Sequence, residues 1–140
     1  MDDVCLLKTL DGAEGDIDEI LAYHILEHLP RPWAKITPNA GDAMKRWCHL
    51  LRVGGVLVVE CPDFAEAARR YAITGDERAK RMIFGLARTK EDTHQWGYTL
   101  TELTGFMRYA GLDIQAATRT GQSRTALRGD PCIRVVGVKK

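Results

Sequence analysis

Two imidazoles and a carboxylate crowd the segment His24-Ile25-Leu26-Glu27-His28. On a helix, this H-x-x-E-H spacing puts His24 and His28 on one face, where they could hold one zinc ion with Glu27 as the base of a hydrolase. The surroundings oppose that reading. Pro30 follows too soon for a long helix, His24 falls at the end of a predicted strand, and no third ligand is evident. Glu60, Glu66 and Glu77 qualify only by being acidic. Zinc hydrolysis is therefore a remote alternative, and the sequence assigns no metal ligand. Further along, Asp63 follows an apolar run, where it can position a substrate or cap a helix. His94, Gln95, Trp96 and Tyr98 form a compact polar-aromatic cluster, suited to substrate contact or to packing against a sheet edge. No Ser/His/Asp arrangement or phosphate loop stands out.

The elements that must position these groups are legible from periodicity. Val4 to Leu7 reads as a short strand, and Asp11 to Asp16 as turn material. Ile17 to Tyr23 reads as a buried strand. Pro30, Pro32 and Pro38 impose a loop between Leu29 and Pro38. Ala43, Met44, Trp47, Leu50 and Leu51 recur at helical spacing, with Gly54-Gly55 as the stop, and Trp33 and Trp47 read as core or loop-anchoring residues. Val56 to Val59 is a continuous apolar run suited to a strand covered on both faces. Asp63 then caps a helix that Gly75-Asp76 breaks, and a second helix runs from about Glu77 to Ala87. Thr99 with Glu102 forms a capping box for a helix that ends at Gly111. Leu112 to Thr118 and Cys132 to Val138 close the chain as two strands. Their short connection leaves no room for a crossover helix, so they pair antiparallel.

The composition suits one domain over residues 1–140, with 45% hydrophobic and 28% charged residues. A net charge of +1 gives no bulk electrostatic case for nucleic acid or membrane. No apolar run reaches membrane-spanning length, and the acidic start is wrong for a signal peptide. Cys5, Cys48, Cys61 and Cys132 form no CxxC pair and read as reduced, packed thiols of a cytoplasmic protein.

The order of elements, with Leu51-Arg52-Val53-Gly54-Gly55, Glu60-Cys61-Pro62-Asp63, Gln95-Trp96-Gly97-Tyr98-Thr99 and Ala110-Gly111-Leu112, resembles the class I S-adenosylmethionine (SAM) dependent methyltransferases. The resemblance covers nearly the whole chain but only the C-terminal two-thirds of the family domain. It implies an α/β fold: an incomplete Rossmann-like sheet, mostly parallel, with an antiparallel C-terminal strand pair and flanking helices. It places Ala22, Tyr23, His24 and Leu26 at the SAM pocket, His24 as a general base, and Asp63, His94, Trp96 and Tyr98 near the substrate. The family's Gly-rich loop has no counterpart, since Asp11-Gly12-Ala13-Glu14-Gly15 lacks its pattern. The expected function is thus a SAM-dependent methyltransferase-like domain, either degenerate or completed by a second chain or dimer mate. The alternative is a non-catalytic dimerising interaction module. A homodimer covering an exposed strand edge is expected, SAM is the cofactor of an active form, and a small molecule is the default acceptor.

Overall fold

A computed structural model of the chain describes residues 6–120 and 129–140. Four strands form one sheet in the order β1-β2-β4-β3: β1 (Ile17–Tyr23), β2 (Leu51–Pro62), β3 (Leu112–Thr120) and β4 (Cys132–Lys139). β1 runs parallel to β2, while β4 is antiparallel to both β2 and β3. The sheet is therefore mixed, with the expected antiparallel ending. Among the described residues, four helices accompany it: α1 (Ala40–Leu50), α2 (Phe64–Thr74), α3 (Glu77–Phe84) and α4 (Leu100–Tyr109). Among the described residues, no helix is long and apolar enough to cross a membrane.

Three expectations need correction. Val4 and Cys5 lie outside the described residues, but Leu6 and Leu7 are not in the sheet; Leu7 has φ 48° and leads into a 3-10 turn over Lys8–Leu10. That leaves β1 at an edge of the described sheet. Second, Gly54-Gly55 does not end the preceding helix. α1 stops at Leu50 and β2 starts at Leu51. The glycines sit inside β2, where the register jumps between Ile17↔Leu51 and Glu19↔Val56. Gly54 takes φ 79°, and a Cβ on Gly55 would stand 2.8 Å from the Arg52 carbonyl, so both positions need glycine to make this irregularity. Third, Trp33 is 68% exposed, so the core reading fails for it and the loop-anchoring one remains, through its edge contact with Trp96.

Caps set the helix starts. Asn39 and Asp42 form a capping box on α1, and Thr99 and Glu102 form the expected one on α4. α1 and α4 bury Met44, Trp47, Leu103 and Met107 against Leu57, Val59, Cys61, Ile133 and Val135 of the central strands. Alternation along the strands sends Leu21, Tyr23, Val56, Val136 and Val138 to the opposite face, where each keeps some exposure and Leu21 reaches 46%.

Candidate functional site

The strand pairing decides what meets at the carboxyl ends of β1 and β2. The His24 amide donates to the Glu60 carbonyl at 2.8 Å, and β4 lies antiparallel on the far side of β2 with Glu60 opposite Arg134. Glu60 is fully buried. Its Oε2 accepts from the Arg134 guanidinium, at 2.8 Å from Nε and through a closer contact from the terminal nitrogen Nη2. Its Oε1 lies 3.5 Å from His24 Nε2. A buried carboxylate is tolerable only with such compensation.

His24 itself takes φ 52°, a conformation that turns the chain out of β1. Its Nδ1 lies 3.1 Å from Glu27 Oε1, and its Nε2 lies 4.0 Å from the Cys132 sulfur. Burial works against the imidazolium. Hydrogen bonds to Cys132 and Glu27, with the Glu27 charge, outweigh it and push the His24 pKa up to about 10. His24 is thus a cation at neutral pH in this arrangement.

A second segment is stitched onto this turn. The Glu27 carbonyl accepts from the amides of Gln95 (2.7 Å) and Trp96 (3.2 Å), and Gln95 Nε2 donates to the His28 carbonyl at 2.7 Å. His94 thereby reaches His28, with ring centroids 4.8 Å apart and planes nearly perpendicular. His28 Nδ1 contacts the Thr93 carbonyl at 3.2 Å, and His94 Nδ1 contacts the Met82 carbonyl at 2.8 Å. Burial lowers the His94 pKa and favours its neutral ring. Gly85 enables the close approach of α3: it takes φ 78° and bridges to Thr93.

These groups line a cavity of about 340 Å³ that includes His24, Glu27, His28, Arg78, Arg81 and His94. Arg78 pairs with Asp130 at 2.8 Å. A larger groove of about 740 Å³ between α1 and α4 is mainly apolar, flanked by Trp33, Phe106 and Tyr109, and gathers no histidine or cysteine. The smaller cavity is the candidate site because it lies where strands β1 and β2 end, the usual ligand position of open α/β sheets.

The residues singled out from sequence are divided by the structure. His24 and His94 line the cavity. Tyr23 is half-buried, with the Arg134 guanidinium 5.7 Å from its ring centroid, whereas Ala22 and Leu26 are core residues at 1% and 0% exposure. Asp63 is fully buried and occupied: it accepts from the Glu66 amide as the cap of α2 and from Arg119 Nε at 3.0 Å. Trp96 meets Trp33 edge-on at 6.4 Å. Tyr98 is buried against Phe106, its pKa raised by burial, and its hydroxyl has no hydrogen-bond partner among the described residues. The helical H-x-x-E-H geometry is absent, because His24 follows β1 and only Leu26–His28 form a 3-10 turn.

Sequence reasoning took Glu27 as the base of a remote zinc hydrolase and did not pair Glu60 with Arg134. The signal was there: one acid and one base, each inside an otherwise apolar strand, must find partners. Arg78 and Arg81 gave no such signal, being charges on an amphipathic helix.

The sequence matches no protein-family model and no curated protein. Solved structures do resemble the fold. A SAM-dependent methyltransferase from Methanosarcina mazei aligns at 15% identity and TM-score 0.60, covering 90% of this chain and 60% of that one. The 1,6-didemethyltoxoflavin-N1-methyltransferase of Burkholderia thailandensis, solved with 1,6-didemethyltoxoflavin and S-adenosylhomocysteine, aligns at 16% identity and TM-score 0.56, covering 91% of this chain and 45% of that one. A complex of the Haloferax volcanii Trm112 methyltransferase activator with a chain assigned as a methyltransferase aligns at 10% identity and TM-score 0.55, covering 89% and 55%. The chain thus spans between 45% and 60% of the length of these three. Over the strands and helices described, it has the fold of the class I SAM-dependent methyltransferases.

Proposed function

We propose that this chain forms the acceptor side of a SAM-dependent methyltransferase whose cofactor pocket is completed by residues outside its four described strands, from a dimer mate or a second protein. The observation that carries the reading is the cavity at the carboxyl ends of β1 and β2, with histidines, arginines and Glu27 in its wall, in a sheet with the methyltransferase fold. The half-open face around Leu21, and β1 at the sheet edge, are surfaces such a completing element would cover. SAM carries its own activated methyl group, so the protein's task is chiefly to align acceptor and cofactor. Tyr23 and His24 are the cofactor-side candidates, since Ala22 and Leu26 are enclosed by the core. His94 and the cavity arginines are the acceptor-side candidates. Trp96 and Tyr98 support the loop, and Asp63 holds the start of α2. In this arrangement His24 serves as a charged hydrogen-bond donor; a base role needs the neutral ring, disfavoured below about pH 10. A small molecule suits a cavity of this size.

The test is calorimetric titration with S-adenosylhomocysteine, with the oligomeric state set by light scattering. Micromolar binding by an assembled species supports the reading. Absence of binding up to millimolar ligand, with the protein folded, replaces it with the second reading, a non-catalytic interaction module that uses the β1 edge to dimerise.

A further inference from the structure

Three groups on the cavity wall bring metal-ligating atoms close together. Glu27, His28 and His94 each offer a ligating atom, and these atoms all lie within 4.8 Å of one another. The hydrogen bonding around them sets the chemistry. A backbone carbonyl accepts only from an N–H, so the Thr93 and Met82 carbonyls hold the proton of each ring on Nδ1. The nitrogen left on each ring for a metal ion is then Nε2. Glu27 supplies a carboxylate that is 1% exposed, whose Oε2 has no hydrogen-bond partner among the described residues. Its other oxygen is turned toward His24 at 3.1 Å. Two imidazole nitrogens beside a buried carboxylate oxygen without a hydrogen-bond partner among the described residues make a donor set that a cation would satisfy.

We propose that Glu27, His28 and His94 form a binding site for one divalent first-row transition metal ion, a two-histidine, one-carboxylate set whose remaining coordination positions face the cavity. Imidazole and carboxylate donors suit zinc and its neighbours better than the harder alkaline-earth ions. The outer partners are those of built metal sites: a backbone carbonyl on each ligand histidine and His24 against the ligand carboxylate. Ligand atoms about 2.1 Å from a shared ion stand up to about 4 Å apart, so side-chain shifts of under about 1 Å close the site. The neighbouring group His24, Glu60 and Cys132 is equally compact, but there Arg134 already pairs with Glu60. The set differs from a helical H-x-x-E-H site: His94 enters from a distant loop, and His24 is an outer partner rather than a ligand. The inference stands on these residues alone and does not depend on methyl transfer.

The test is titration of the metal-free full chain with Zn²⁺ against a chromophoric chelator, and with Co²⁺ followed by its visible ligand-field bands. One ion per chain is expected, with Co²⁺ bands of a low-coordinate N/O site and no thiolate charge-transfer band. His94→Ala and, separately, His28→Gln should each weaken Zn²⁺ affinity at least about tenfold. Exposed His49→Ala and buried Cys132→Ser should leave it within about twofold. Circular dichroism establishes that each variant is folded, and the two ligand variants come from separate segments, so one misfolded protein does not remove the test. Affinity unchanged in both folded histidine variants, or binding abolished by Cys132→Ser with a thiolate band in the parent, overturns the proposal. So does the absence of stoichiometric Zn²⁺ uptake at micromolar concentration.

Discussion

Arg134→Met should cost about 3 kcal/mol of folding stability. Glu60 is fully buried, and the variant removes two N–H donors from one of its oxygens while keeping the aliphatic bulk of the side chain. Removing one partner of a buried ion pair costs about 3–5 kcal/mol, because the remaining charge loses its compensation without regaining water. Arg134 keeps 24% side-chain exposure and His24 remains 3.5 Å away, which puts the expected loss at the lower end. That loss is a change of roughly 100-fold in the folding equilibrium and, for a chain of this length, roughly 10 °C in melting temperature. Urea unfolding at pH 7 reads it directly. The double variant Glu60→Gln/Arg134→Met removes the stranded charge and should recover about 2 kcal/mol relative to the sum of the single losses. A loss below about 1 kcal/mol in Arg134→Met, or strictly additive losses in the double variant, would refute the claim that Arg134 holds Glu60 at the strand ends.

Tyr98→Phe should leave stability unchanged or raise it by up to about 1 kcal/mol, because the buried hydroxyl has no partner among the described residues; a loss above about 1 kcal/mol in urea unfolding would show that the hydroxyl is bonded. Gly85→Ala should destabilise the chain by at least about 2 kcal/mol, since the residue has φ 78° and its Cβ would collide with the Asp92 carbonyl. The same variant should loosen His94, whose amide bonds the Phe84 carbonyl, and a melting temperature within about 2 °C of the parent would contradict this packing. Alkaline pH should weaken the fold through Cys48, whose thiol is pushed up to about 11 by burial. Between an unfolded value of about 8.5 and that value, the native state binds more protons than the unfolded one, so stability falls as pH rises. Urea midpoints at pH 7.5 and 10 should diverge in the parent and less so in Cys48→Ser; parallel pH profiles would refute the assignment.

The local elements were legible because local physics specifies them. Ile17–Tyr23 and the run after Val56 read as strands from apolar β-branched content, and Asp63 and Thr99 announced helix starts through side chains that cap their own backbone. The antiparallel ending followed from a connection too short for a crossover. What the sequence misplaced was longer-ranged. Nothing in Leu6-Leu7 says that it leaves the sheet, and Gly54-Gly55 carries the same signal whether it ends a helix or kinks a strand. The site depended on tertiary structure for the same reason. His24 and His28 are neighbours in sequence, yet a left-handed residue and a 3-10 turn send them to different partners: His24 to Glu60 and Cys132, His28 to His94. Those partners come from other strands and from a loop more than sixty residues away, brought in by strand register and by the Gln95 and Trp96 amides on the Glu27 carbonyl. Residue type determined which groups can do chemistry. Only the pairing of distant backbone decided which of them share a cavity, because side-chain chemistry acts over a few ångströms and sequence spacing measures distance only within a single element.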